Sequence, residues 1–180
     1  MSVEDQDRVK KIGNQQWFDC FGDKQNLLTD DEIYNLCIAR GTINNEEREI
    51  INNHMAVTID MLTTLPFPKN LKRVPEYAGG HHEKIDGTGF PKGLTGDQMS
   101  IPAKMMAIAD IFEALSSKER PYKEPMKLSQ SLSILSKMSK TGHIDPDLFH
   151  LFLQARVWES YSKEYCLPEQ LDVDNLTAFY

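Results

Sequence analysis

Along almost the whole chain, apolar residues recur at steps of three and four, while the alternation that marks half-buried strands is nearly absent. A chain patterned this way buries its apolar side chains by packing helix against helix. The punctuation agrees. Ser2, Thr29, Asn44 and Asp145 stand where N-caps belong, and Glu32 and Glu47 follow Thr29 and Asn44 at the capping-box spacing. Gly41 closes the second helix, Pro66 and Pro68 the third, while Pro75 and Pro146 suit first turns. Spacing carries the first helix through Val9, Ile12 and Trp17 to Cys20, with a loop from Gly22 to Leu28. The last helix runs from Asp145 to about Lys163, and the acidic tail after Pro168 reads as peripheral and frayed. The expected fold is all-α: six or seven helices in one domain over residues 1–180, a length that removes roughly 70% of the unfolded surface from water.

Four ionisable residues interrupt this pattern. His54 shares a stripe with Ile50, Val57 and Met61, which predicts that it faces the core. Asp110 interrupts the strongly apolar helix from Ala103 to Ser117. His81 and His82 are adjacent, just before an eleven-residue loop, Asp86 to Gly96, that holds four glycines and Pro91. A hydrogen-bonded core histidine and a capping aspartate are the ordinary reading of such residues. Their occurrence on separate segments beside one loop points instead to a metal ion, a partner able to satisfy several buried groups together. Imidazole and carboxylate donors suit zinc, manganese or iron. Neighbours on a regular helix project about 100° apart. His81 and His82 are therefore not expected to share one ion from such a helix, which suggests a site handling more than one.

Composition narrows the classes. The net charge is −7, yet residues 36–143 carry 14 bases against 12 acids. Such a chain is a poor general DNA binder but can hold a small anion at its centre. No apolar run is long enough to span a membrane, and the first 20 residues lack a signal-peptide core. Cys20, Cys37 and Cys166 are odd in number and scattered, as reduced thiols of a cytoplasmic protein are.

His81-His82-Glu83 followed by Asp86-Gly87-Thr88-Gly89-Phe90-Pro91 resembles the HHExxDGxGYP signature of HD-GYP domains. These are bacterial phosphodiesterases of the metal-dependent HD superfamily that degrade cyclic di-GMP. Ala107 to Leu115, around Asp110, resembles the family's next motif, and Arg120-Pro121-Tyr122-Lys123 its phosphate-facing basic segment. The resemblance is strongest over 41–156. It implies an HD-type helical bundle, iron or manganese held by His54, His81, His82 and Asp110, and a cyclic dinucleotide bound by Arg120, Lys123 and the loop residues Gly87, Gly89, Phe90 and Pro91. Other signalling domains in a longer protein are implied partners. Lys84 and Lys92 read first as plain surface charge, and under the resemblance as added positive potential for the substrate.

Two departures stand out. Phe90 replaces the signature tyrosine, and the chain contains no His-Asp dipeptide. The 180 residues therefore read as the C-terminal part of such a domain, or a shortened one, with an incomplete ligand set. The chain alone is expected to hold at most one metal weakly and to hydrolyse little substrate. The alternative is a degenerate module that binds nucleotide or a partner protein without hydrolysis; a third reading is an HD phosphohydrolase for another nucleotide.

Overall fold

The computed structural model describes residues 1–117 and 125–179. They form two compact units, residues 1–51 and the described residues from 52 onward.

In the first unit, α1 (Val3–Gly13) starts at Ser2, whose hydroxyl accepts the Asp5 N–H, and stops at Asn14. The helix predicted to reach Cys20 gives way to an antiparallel hairpin, β1 (Gln16–Phe18) and β2 (Lys24–Asn26). Asp19 organises the turn. Its carboxylate accepts the N–H groups of Phe21 and Asp23 and the side-chain amide of Gln25, and the Asp23 N–H heads the causes that hold it below the ordinary carboxylate range. α2 (Asp30–Leu36) carries the reciprocal Thr29–Glu32 cap that the spacing predicts. α3 (Asn45–Asn52) has the same reciprocal bonds between Asn44 and Glu47.

The second unit contains α4 (His54–Thr64), α5 (Val74–Gly79), α6 (Ile101–Ser116), α7 (Leu128–Lys140), α8 (Pro146–Gln154) and α9 (Val157–Tyr165). Each helix packs on the next, and α6 also packs on α8. Helices thus dominate, as the apolar periodicity requires. They outnumber expectation because two predicted helices are each split. One breaks at Asn53, between α3 and α4; the other breaks at Arg156, which adopts the left-handed φ of 52° between α8 and α9. No helix of the described residues is long and apolar enough to cross a membrane.

The core of this unit joins Ile108 and Phe112 of α6 to Leu128, Leu132 and Leu135 of α7, Phe149 and Leu153 of α8, and Trp158 of α9. Burial of each such side chain contributes about 1.5–3 kcal/mol. The Phe112 ring meets the rings of Phe152 and Tyr161 edge to face, with centroids at 5.2 and 5.6 Å. The tail corrects the sequence expectation: it is docked rather than frayed. Phe179 is part of the core. Buried Gln170 donates to the carbonyls of Ser116 and Met126, and Asp172 caps α7 through the Ser129 N–H and hydroxyl.

Asp145 fastens α8 to α6. Its side chain accepts the N–H groups of Asp147 and Leu148 and meets the Lys104 ammonium at 2.9 Å, with both side chains largely buried. Burial opposes ionisation of this carboxylate, but Lys104 and the helix N–H groups outweigh it and hold the group below its ordinary value. Asp145→Ala removes the cap and strands an ammonium, an expected loss of about 2–4 kcal/mol in urea unfolding at neutral pH. A carboxyl whose value is depressed by folding stabilises above its ordinary value of about 4. That contribution fades as pH falls through the folded-state value.

Candidate metal centre

Three segments of the second unit build the site. α5 begins with Pro75 in its first turn and ends on the buried pair Gly79–Gly80. A Cβ at Gly80 would lie 2.8 Å from the Cβ of Ala103, so the missing side chain is what lets this turn settle against α6. The chain leaves helix at Gly80, and His81 and His82 follow in the turn, with Asp110 two helical turns beyond Ala103 on α6. One donor atom from each of His81, His82 and Asp110 lies within 4.8 Å of the others. Donors about 2.2 Å from one ion lie up to about 4.4 Å apart, so small side-chain rotations close the set. The expectation that His81 and His82 do not close one chelate holds for a regular helix. Helix ends at Gly79, and that geometry no longer applies.

Both imidazoles have defined surroundings. The Nδ1 of His81 lies 2.6 Å from the Ala78 carbonyl oxygen. A carbonyl only accepts, so Nδ1 carries a proton, and Nε2 is the nitrogen of the neutral ring that can face an ion. His82 packs between rings: Phe90 stacks on it at 4.9 Å and 17°, His81 lies at 4.3 Å, and the exposed His54 meets it edge-on at 5.3 Å. Burial, with His81 beside it, holds His82 below the usual histidine range and so favours the neutral ring. Asp110 is exposed, leaving the centre an open side.

His54 stands next to His82 but outside the three-donor group. Its helical stripe is not core-facing, since Val57 and Met61 are 57% and 59% exposed. Periodicity identifies a face without identifying what covers it. His143 and His150 lie outside the group. The His143 carbonyl accepts the Ile85 N–H, and burial lowers the His143 ring's affinity for a proton.

The glycine loop is built as a closed turn. Asp86 and Thr95 bridge its ends, and the Asp86 carboxylate accepts the hydroxyl and N–H of Thr88, which hold it below the ordinary range. Gly87 takes a φ of +79°, where a side chain is strained. Gly89 presses so closely on the Glu83–Lys84 backbone that a Cβ would fall 2.4 Å from the Glu83 Cα. Phe90 reaches the site through its stack on His82, whereas Pro91 is exposed. Arg120 and Lys123, expected to clamp phosphates, lie outside the described residues.

One residue that the chemistry-bearing pattern passed over is Glu83. It is 2% exposed, and its two carboxylate oxygens accept the N–H groups of Lys92 and Leu94 at 2.7 and 2.9 Å. An acid placed just ahead of a glycine-rich loop, whose amides need acceptors, is the signal that marks it.

Comparison with known proteins adds a family model described as HD domain, matching residues 29–148. A 3'3'-cGAMP-specific phosphodiesterase of Vibrio cholerae is 40% identical over 109 residues, covering 61% of this chain and 23% of that protein. A cyclic di-GMP phosphodiesterase of Pseudomonas aeruginosa is 40% identical over 75 residues, 42% of this chain and 17% of that protein. One from Thermotoga maritima is 31% identical over 126 residues, 69% of this chain and 33% of that protein. The chain thus spans a third or less of the length of these relatives.

Proposed function

The chain belongs to the HD domain family, in its HD-GYP form, and from that premise we propose that it supplies part of the active site of a metal-dependent phosphohydrolase opening the phosphodiester bond of cyclic di-GMP. The observation that carries this reading is the convergence of His81, His82 and Asp110 within 4.8 Å. Two imidazoles and a carboxylate suit iron or manganese. The chemistry such an ion supplies is Lewis-acid polarisation of a phosphoryl oxygen and a lowered pKa for water. His81 offers Nε2 because the Ala78 carbonyl fixes its tautomer, and the depressed proton affinity of His82 keeps its lone pair available at neutral pH. Phe90 covers one face of the His82 ring and shields it from water. His54 is the nearest further imidazole. Arg120 is assigned a two-pronged grip on a substrate phosphate and Lys123 a point charge beside it. Relatives named for cyclic di-GMP and for 3'3'-cGAMP make a cyclic dinucleotide the favoured substrate class. Three free thiols among the described residues suit a cytoplasmic setting, and further signalling domains belong to the same proposal.

A second reading, binding without hydrolysis, is favoured by one observation: the chain has no His-Asp dipeptide, and the described residues offer a single three-donor group. Calorimetry with Mn2+, followed by cyclic di-GMP or 3'3'-cGAMP binding and product chromatography, separates these readings. About one ion per chain, nucleotide binding that requires it and slow appearance of linear product are expected. Metal-dependent binding with no product favours the second reading. Two tightly held ions with rapid turnover contradict a partial site, and nucleotide binding indifferent to Mn2+ removes both.

A further inference from the structure

Among the bonds that tie the loop bearing Phe90 to the segment bearing His82, those made by a buried side chain come from Glu83. Both oxygens of this nearly inaccessible carboxylate are engaged by loop amides, those of Lys92 and Leu94. The backbone of Gly89 lies directly against Glu83, and the Phe90 N–H donates to the His82 carbonyl at 3.3 Å. With the loop closed in this way, the Phe90 ring lies flat on the His82 imidazole at 4.9 Å. We infer that Glu83 is a positioning residue: by accepting two loop N–H groups it seats Phe90 on His82 and so fixes the ring that faces His81 and Asp110. No other carboxylate among the described residues accepts an N–H from Lys92 or Leu94.

The physical argument rests on matching donors and acceptors. Two N–H groups converging on one buried side chain need two acceptor atoms, and a carboxylate supplies both. The amide introduced by Glu83→Gln supplies one acceptor and turns a donor toward the other N–H. The side chain keeps nearly its shape, but one loop amide loses its partner, a cost the loop relieves by lifting. Phe90 then leaves His82, and the imidazole regains its rotational freedom. Partners that orient a ligand in this indirect way typically tune metal affinity by about 10–100-fold.

The experiment has two arms on the intact chain. In metal-free protein, NMR reads the ring protons of His82, which the stacked Phe90 shifts upfield. In the second arm, calorimetry reads Mn2+ affinity; this arm rests on the metal-centre reading above, while the NMR arm does not. Glu83→Gln is expected to abolish the upfield shift and weaken Mn2+ binding about 10-fold, with thermal unfolding confirming a folded protein. Phe90→Leu is expected to do the same. The double variant is expected to be no more than about twofold worse than the weaker single one, because both act on one ring. Glu83→Asp, which keeps both acceptors on a shorter arm, is expected to fall between wild type and Glu83→Gln, and it decides the matter if Glu83→Gln fails to fold. An unchanged His82 shift in a folded Glu83 variant overturns the inference, as does full additivity in the double variant. Wild-type protein that shows the shift but binds no Mn2+ sinks the metal reading and leaves the positioning intact.

Discussion

His82→Ala is expected to lower Mn2+ affinity by about 100-fold or more, above the range typical of residues that merely orient a ligand. His82 is a half-buried candidate donor packed between Phe90, His81 and His54. His143→Ala and His150→Ala should each leave affinity within about twofold, since neither ring belongs to the three-donor group. Metal content after dialysis, read beside calorimetry, checks the contrast. Equal losses in all three variants would place the centre elsewhere.

The largest effect on stability is expected from Phe149→Ala. Its ring is 1% exposed and lies in the core shared by α6, α7, α8 and α9. Removing it leaves a cavity that such rigid surroundings fill poorly, for an expected loss of about 3–5 kcal/mol. Leu151→Ala, two residues along the same helix but on its exposed side, should stay within about 0.5 kcal/mol. Urea unfolding of both variants tests this. Similar losses at the two positions would show that α8 is packed on the wrong face.

The helical character of this chain is legible because its cues are local. Thr29 with Glu32, Asn44 with Glu47, and Asp145 before Pro146 each act within four residues, and each cap forms where spacing places it. Features set by distant partners were not legible. Nothing near Gln170 says that its amide will find the carbonyls of Ser116 and Met126, and nothing near Asp172 says that it will cap a helix 43 residues earlier. The hairpin at Gln16 was hidden because Trp17 and Cys20 continue a helical spacing that Gly13 and Asn14 have already ended. Arg156 breaks a helix without glycine or proline to announce it. At the centre, His81, His82 and Asp110 were legible by chemical type. Their convergence needed coordinates, as did Glu83, whose role lies in which amides it meets.

Two residues with no reactive atoms set the gauge of the centre. Gly80 and Ala103 touch where the turn before the histidines meets the helix bearing Asp110, and one added carbon at residue 80 would wedge these segments apart. The separation between imidazole and carboxylate is therefore machined by a shim of almost no thickness. Sensitivity of the centre thus extends to one of its smallest residues, at a place a search guided by functional groups alone would pass by.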